Sequence, residues 1–98
     1  VKNFLESKSF FRPTLEELHD PFLMDGMEEA STRTIEAITC NQKIVVYGDY
    51  DVDGTCASSI MYMFLKHLGA DVKIYIPNRL SEGYGLSTEG IDFAKEND

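Results

Sequence analysis

The sequence predicts an α/β fold with a parallel sheet and a βαβ unit in its second half, preceded by a helical lead-in. Two short apolar runs are separated by a long segment of helical periodicity, and this order forces the two strands to lie parallel with a right-handed crossover. The acidic string Asp49–Gly54 directly follows the first run. Because ligands of such sheets bind beyond the carboxyl ends of the strands, this string marks the predicted functional edge.

The lead-in, residues 1–41, is predicted to be largely helical. The first dozen residues follow no regular pattern and are expected to be irregular. Residues 13–18 favour a short helix with acidic residues in its first turn, and Pro21 ends it. Residues 25–39 carry apolar side chains at helical spacing and predict an amphipathic helix.

The second part, residues 42–98, contains the βαβ unit. Its predicted elements are a strand at Lys43–Tyr47, a helix at about 54–68 and a strand at Asp71–Ile76, with Gly69 as the left-handed helix stop. The helix carries two adjacent apolar stripes that predict a wide buried face: Cys56, Ile60, Phe64 and Leu68, and Ala57, Met61 and Leu65. A helix-like stretch at 94–98 without a stop leads us to expect a larger protein.

Composition excludes several classes of protein. Seventeen acidic residues against nine basic ones give a net charge of -8, the wrong sign for binding nucleic acid by electrostatics alone. Cys40 and Cys56 are too few for a disulfide scaffold and are expected to be buried in a reducing cytosol. No hydrophobic stretch has the length of a membrane span, so we expect a cytoplasmic protein that makes no membrane contact.

The alternation of Asp49, Asp51 and Asp53 predicts a metal site. In an extended chain, residues two apart lie about 6.5 Å apart on one face. Neighbouring carboxylates then repel each other by about 2.5 kcal/mol at an effective dielectric constant of 20. Mg²⁺ or Mn²⁺ is the simplest remedy, because hard cations prefer oxygen ligands. A solvated acidic loop is the alternative.

An EF-hand calcium loop begins with the same string but does not fit the rest of the sequence. With Asp49 in its first position, Gly54 takes the required sixth position. Ile60 then takes the twelfth, where a bidentate Glu is needed. An EF-hand loop also follows a helix, whereas this string follows a predicted strand.

Asp51–Thr55 resembles the first motif of haloacid-dehalogenase-type phosphatases, in which the first Asp attacks phosphorus and the second is a general acid. In that family the apolar strand usually runs directly into the nucleophile, whereas Gly48, Asp49 and Tyr50 intervene in this chain. A phosphatase with Asp51 as nucleophile remains an alternative at this stage. Trapping a covalent aspartyl phosphate would select it.

Ile44–Thr55 closely resembles the first motif of the DHH phosphoesterase superfamily. Ile76–Leu86 resembles the matching segment of its RecJ branch of single-strand-specific DNA exonucleases, and His19–Met24 resembles the lead-in of that branch. The resemblance spans nearly the whole chain. It implies that residues 42–98 form the first, incomplete part of a DHH domain.

This resemblance implies a metal-dependent 5′ to 3′ exonuclease that degrades single-stranded DNA in repair and recombination, with single-strand-binding protein and a helicase as partners. Asp51 and Asp53 would be the catalytic ligands of two Mn²⁺ or Mg²⁺ ions, with Asp49 nearby as a further ligand or as a hydrogen-bond acceptor behind the ligands. Some relatives carry His where Tyr47 stands, which puts one expected ligand in doubt. A degenerate, non-catalytic module is the remaining alternative.

Four further residues are assigned to the substrate. Gly54, with the helix amides that follow it, offers a place for a phosphate oxygen. The resemblance assigns Arg79 to a substrate phosphate, with a salt bridge to Glu82 as the alternative. Gly83 and Tyr84 form a flexible loop whose ring stacks on a base or packs on the domain. The family's remaining ligands are expected after residue 98, so residues 1–98 alone are expected to be inactive.

Overall fold

The computed structural model describes residues 3–97, except for the side chains of Leu5 and Glu6. The elements, in chain order, are α1 (Phe4–Phe11), 3₁₀ turns at Leu15–Glu17 and Pro21–Leu23, α2 (Met27–Thr39), β1 (Ile44–Tyr47), α3 (Val52–His67), β2 (Val72–Tyr75) and α4 (Thr88–Glu96). The chain divides into two compact units, residues 1–32 and 33–98. The predicted domain boundary between residues 41 and 42 stays a prediction.

The first unit corrects two predictions about the lead-in. Residues expected to be irregular form α1, in which the Ser7 hydroxyl donates to the Asn3 carbonyl at 3.0 Å. Its apolar side chains follow no single stripe, and Phe4 and Phe11 are 81% and 75% exposed, so periodicity gave no indication of a helix. The short helix expected at 13–18 is one 3₁₀ turn, in which the Glu17 carboxylate accepts from the Thr14 amide at 3.0 Å.

The second unit contains the predicted parallel βαβ arrangement. β1 pairs with β2 in parallel, with Ile44 opposite Val72 and Tyr47 opposite Tyr75, and α3 connects the two strands. The core forms where α3 packs on this sheet, and it consists of Leu65, Ala70 and Val72 with the half-buried Ile38, Ile44, Val46 and Tyr62 around them. The α/β fold class predicted from the apolar runs is therefore confirmed.

The prediction of a wide buried face on α3 is wrong. Leu65 and Ser58 are buried, with 2% and 4% of their surfaces exposed, whereas Ile60 and Phe64 are 70% and 57% exposed. Two strands span about 10 Å, roughly one helix diameter, so this sheet covers only one face of the helix. Cys56 on α3, like Cys40, is exposed rather than buried as predicted.

The ends of α3 follow from local sequence. Asp51 caps the first turn, and the chain leaves the helix through Gly69 at φ 81°, the left-handed conformation that glycine adopts at low cost. The amides of Gly69 and Ala70 donate back to the carbonyls of Lys66 and Leu65, both at 3.0 Å.

In the part of the chain that the structure describes, no helix combines the length and the apolar character that a membrane span requires.

Candidate active site

The carboxyl ends of the two strands bring two loops to one edge of the sheet. Tyr47 and Tyr75 are paired at the strand ends, and the Gly48 amide extends the ladder by donating to the Tyr75 carbonyl at 2.8 Å. The Asp loop, residues 48–54, follows β1, and the Arg loop, residues 76–87, follows β2. The two segments assigned to metal and to substrate therefore start side by side.

In the Asp loop, two of the three aspartates accept hydrogen bonds from nearby backbone amides. Asp51 is the N-cap of α3, and its Oδ1 accepts from the Gly54 amide at 2.7 Å. Asp49 is half-buried, and its Oδ1 accepts from the Tyr50 amide at 2.7 Å. Asp53 is exposed in the first turn of α3, where the helix dipole favours negative charge.

Gly54 is required by a close approach to Asp49. A Cβ atom at Gly54 would lie 2.5 Å from the Cβ and 2.9 Å from the Cα of Asp49, closer than real side chains come. Gly48 is confined in the same way, since its Cβ would lie 2.1 Å from the Ser58 Oγ and 2.5 Å from the Ile76 Cδ1. The two glycines hold the Asp loop tightly against the start of α3.

The aspartates provide the type of ligand that a divalent cation prefers, but they do not form a complete metal site. Carboxylate oxygens are the ligands that Mn²⁺ and Mg²⁺ accept most readily. Among the side chains that the structure describes, however, no three from His, Cys, Asp or Glu come close enough together to hold a metal ion. The Asp51 side chain turns back onto the helix start and Asp49 onto its neighbour's amide, so the expected convergence of Asp49, Asp51 and Asp53 is not present.

The Arg loop begins with a closed turn that carries Arg79. The Glu82 amide donates to the Asn78 carbonyl at 2.9 Å, and the Asn78 amide donates to the Glu82 Oε1 at 2.7 Å. The Leu80 amide donates to the Asn78 Oδ1 at 2.9 Å. Arg79 therefore lies within a turn whose two ends are joined twice.

The second carboxylate oxygen of Glu82 attaches this turn to the rest of the unit. Its Oε2 accepts from the Tyr75 hydroxyl at 2.6 Å and from the Ser87 hydroxyl at 2.6 Å. The Asn78 amide, and then the Ser87 and Tyr75 hydroxyls, lower the pKa of Glu82. The hydrogen bond to Glu82, together with burial, raises the pKa of Tyr75.

Tyr47 joins the end of β1 to the Arg loop. Its hydroxyl accepts from the Ser87 amide at 3.0 Å and lies 3.2 Å from the Gly85 carbonyl and 3.1 Å from the Ser87 Oγ. Its ring packs directly against Gly90 of α4. A Cβ atom added to Gly90 would lie 2.1 Å from the Tyr47 Cε2. In this structure Tyr47 is thus a packing and hydrogen-bonding residue of the strand end.

The substrate residues predicted in the Arg loop are all accessible. The Arg79 guanidinium lies over the Tyr50 ring, 5.2 Å from its centroid, and within residues 3–97 it forms no ion pair with Glu82. Tyr84 is 82% exposed, which is contrary to packing on the domain. Gly83 has φ 78°, so it contributes a left-handed backbone turn.

Sequence reasoning missed four residues that organise this edge: Tyr50, Tyr75, Glu82 as a hydrogen-bond acceptor, and Ser87. Ser87 is the N-cap of α4, and its Oγ accepts from the Gly90 amide at 3.0 Å. A Ser followed by Glu89 in the first turn is a recognisable helix start. Two of the partners of Glu82 lie on different elements, Tyr75 on β2 and Ser87 at the start of α4, and the link from Ser87 to Tyr47 spans 40 residues of chain.

Comparison with known proteins identifies the family. The model for the DHH family, N-terminal domain, matches residues 43–96, more than half of the chain. The chain belongs to the DHH family. This match favours the DHH interpretation of the Asp string over the haloacid-dehalogenase alternative, for which the strand and the proposed nucleophile are wrongly spaced.

Curated relatives of this DHH chain include single-stranded-DNA-specific exonucleases named RecJ. The protein from Bacillus subtilis (strain 168) is 44% identical over 92 residues, 93% of this chain and 12% of the relative. The protein from Haemophilus influenzae is 38% identical over 84 residues, 85% of this chain and 15% of the relative. The predicted resemblance to the RecJ branch is confirmed, and the chain spans only 12% and 15% of the length of these relatives.

Solved structures give the same result. A crystal structure of exonuclease RecJ bound to manganese matches with a TM-score of 0.69 and 41% identity, over 74% of this chain and 19% of that one. RecJ from Thermus thermophilus in complex with Mn²⁺ matches with a TM-score of 0.58 and 38% identity, over 66% of this chain and 9% of that one. The βαβ unit thus has the fold of RecJ structures that contain manganese.

Proposed function

We propose that the full-length protein is a metal-dependent exonuclease that degrades single-stranded DNA. The observation that carries this proposal is the meeting, at one sheet edge, of an acidic loop and a loop that carries an arginine. Arg79 lies over Tyr50, which stands between Asp49 and Asp51 in the chain. An acidic loop that binds a cation, beside an arginine that binds phosphate, suits hydrolysis of a phosphodiester.

The Asp loop has the metal-binding role in this proposal. Asp51 and Asp53 would hold Mn²⁺, the ion named for the similar RecJ structures, with Asp49 nearby. A bound divalent ion polarises a phosphoryl oxygen and activates water. The described residues do not gather three ligands, so further ligands from outside residues 3–97 are part of the proposal, as is the expected inactivity of residues 1–98 alone.

The Arg loop has the substrate role. Arg79 is held by a ring rather than by a carboxylate, so its donors are available for bidentate contact with a phosphate. Tyr84 extends into solvent and offers a face on which a base stacks. Gly83 supplies the turn that leads to Tyr84, and Gly54 allows the close contact between Asp49 and the helix start.

The finer parts of the proposal rest on the RecJ resemblance. They are 5′ to 3′ polarity, action in DNA repair and recombination, the use of two Mn²⁺ or Mg²⁺ ions, single-strand-binding protein and a helicase as partners, and a cytoplasmic location. The relatives named above are specific for single-stranded DNA, which supports this choice of substrate.

The decisive assay uses single-stranded DNA labelled at either end, incubated with the full-length protein in Mn²⁺ or in EDTA. We expect mononucleotides to be released in Mn²⁺ only, with the 5′ label released first. Double-stranded DNA of the same sequence is the control. Release in EDTA, or a covalent aspartyl phosphate trapped at Asp51, would refute the proposal.

A further inference from the structure

We propose that Glu82 is a positioning residue that holds Arg79 at the sheet edge beside the Asp loop. This inference rests on the proposed function, because it assigns Arg79 to a substrate phosphate. The salt bridge between Arg79 and Glu82, which was the alternative role of Arg79, is not part of it. Glu82 acts on the backbone that carries Arg79, and its carboxylate leaves the guanidinium unpaired.

The two carboxylate oxygens of Glu82 have separate partners. Oε1 accepts from the Asn78 amide at 2.7 Å and so closes the turn around Arg79. Oε2 accepts from the hydroxyls of Tyr75 and Ser87, both at 2.6 Å. A single side chain therefore shapes the turn and attaches it both to the end of β2 and to the start of α4.

The charge on Glu82 sets the direction of the hydrogen bonds that it accepts. An ionised carboxylate only accepts, so Tyr75 and Ser87 must both donate to Glu82. The Ser87 Oγ in turn accepts from the Gly90 amide at 3.0 Å, and the Tyr47 hydroxyl accepts from the Ser87 amide at 3.0 Å. The charge on Glu82 thus fixes the direction of two hydroxyl donors, and backbone amides extend the network from β2 through the start of α4 to β1.

The Arg79 side chain lies against the Asp loop. Its guanidinium contacts the Tyr50 ring at 5.2 Å, and Tyr50 belongs to the Asp loop. An exposed cation–π contact is weak, so an incoming phosphate replaces it at lower cost than a salt bridge. The closed turn keeps the backbone in place while the side chain exchanges partners, which is what a positioning residue provides.

The structural half of the proposal is tested by amide hydrogen exchange on the full-length protein. Glu82→Ala removes both acceptors, and Glu82→Gln keeps one and the shape of the side chain. We expect faster amide exchange at Asn78, Leu80 and residue 82 in the alanine variant and a smaller increase in the glutamine variant. If the alanine variant does not fold, the glutamine variant alone tests the proposal. Glu89→Gln, an exposed carboxylate of α4, is the matched control and should change nothing. Unchanged exchange in both Glu82 variants would overturn the proposal.

The functional half is tested by a double-mutant cycle with Arg79→Ala. In the wild-type background, Glu82→Ala should raise the KM for single-stranded DNA about tenfold, the effect of weakening one charge-assisted contact. In the Arg79→Ala background, the same change should have less than about a twofold effect, because the two residues act on one contact. Equal effects in both backgrounds, with an active wild-type protein, would overturn the positioning role and leave the proposed exonuclease standing. A wild-type protein that releases no nucleotides would refute both.

Discussion

The two loops at the sheet edge differ in how many hydrogen-bond donors surround their carboxylates. In the Asp loop, three carboxylates lie within five residues, and the contacts described for Asp49 and Asp51 are single backbone amides on one oxygen each. In the Arg loop, one carboxylate, Glu82, accepts from one amide and two hydroxyls. The carboxylates of the Asp loop can therefore accept further partners, whereas the Glu82 carboxylate of the Arg loop is already hydrogen-bonded within the protein.

This difference separates a binding role from a structural one. A carboxylate that accepts three neutral donors is stable without an external cation, and its pKa falls. Carboxylates that are close in sequence and accept from at most one donor each gain most from a cation, which is the proposed role of Asp51 and Asp53. The hydrogen-bond partners of a carboxylate therefore indicate its role better than the residue type does.

The largest expected effect is on activity when Asp51 is changed. Asp51→Asn keeps the N-cap, since Asn and Asp cap helices equally well, so the free energy of unfolding should change by only a few tenths of a kcal/mol. Nucleotide release in Mn²⁺ should fall at least about 100-fold, because even groups that only orient a ligand contribute 10- to 100-fold. Asp51→Ala should lose the cap as well, at about 1 kcal/mol, measured by urea unfolding without metal. Full activity of Asp51→Asn would show that Asp51 only caps the helix.

Gly54→Ala tests the close contact between the Asp loop and α3. The added Cβ would lie 2.5 Å from the Cβ and 2.9 Å from the Cα of Asp49, so the backbone must move. We expect the free energy of unfolding to fall by about 1–3 kcal/mol, the usual cost of overpacking, despite the better helix propensity of Ala. Cys56→Ala, an exposed position of the same helix, is the control and should be nearly neutral. A stabilised Gly54→Ala protein would contradict this contact.

The smallest effect is expected from pH, through Glu82. Its pKa in the folded protein lies below its ordinary value of 4.5, so its contribution to stability is present above that pH and is lost as the pH falls through the folded pKa. The difference in free energy of unfolding between wild type and Glu82→Gln should be constant from about pH 7 to pH 5 and should shrink in more acidic solution. Chemical denaturation at each pH measures it. A difference that widens in acid would have the wrong sign.

Local pattern was enough to predict the βαβ unit. Apolar runs and a glycine stop are short-range features, and Gly69 adopts the expected positive φ. The exposed stripe of α3 was not predictable in the same way, since an apolar side chain such as Ile60 is buried only where another element covers it, and two strands cover one face. α1 was missed because its apolar residues form no stripe.

The candidate site shows the same limit. The Asp string and Arg79 were found because each lies in a local motif. The hydrogen-bond network around Glu82 was not predicted, because its link to β1 joins Tyr47 to Ser87, which meet at 3.1 Å but are 40 residues apart in the chain. Asp51 was predicted as a ligand, but its N-cap role depends on the start of α3 falling at Val52, two residues before the predicted start.

The most direct test of the central claim, that the Asp loop binds a divalent cation, is Mn²⁺ titration of the full-length protein by calorimetry. Wild type and Glu89→Gln should bind Mn²⁺ with the same affinity, and Asp51→Asn should bind it at least about tenfold more weakly. Equal Mn²⁺ affinity in wild type and Asp51→Asn would contradict the account.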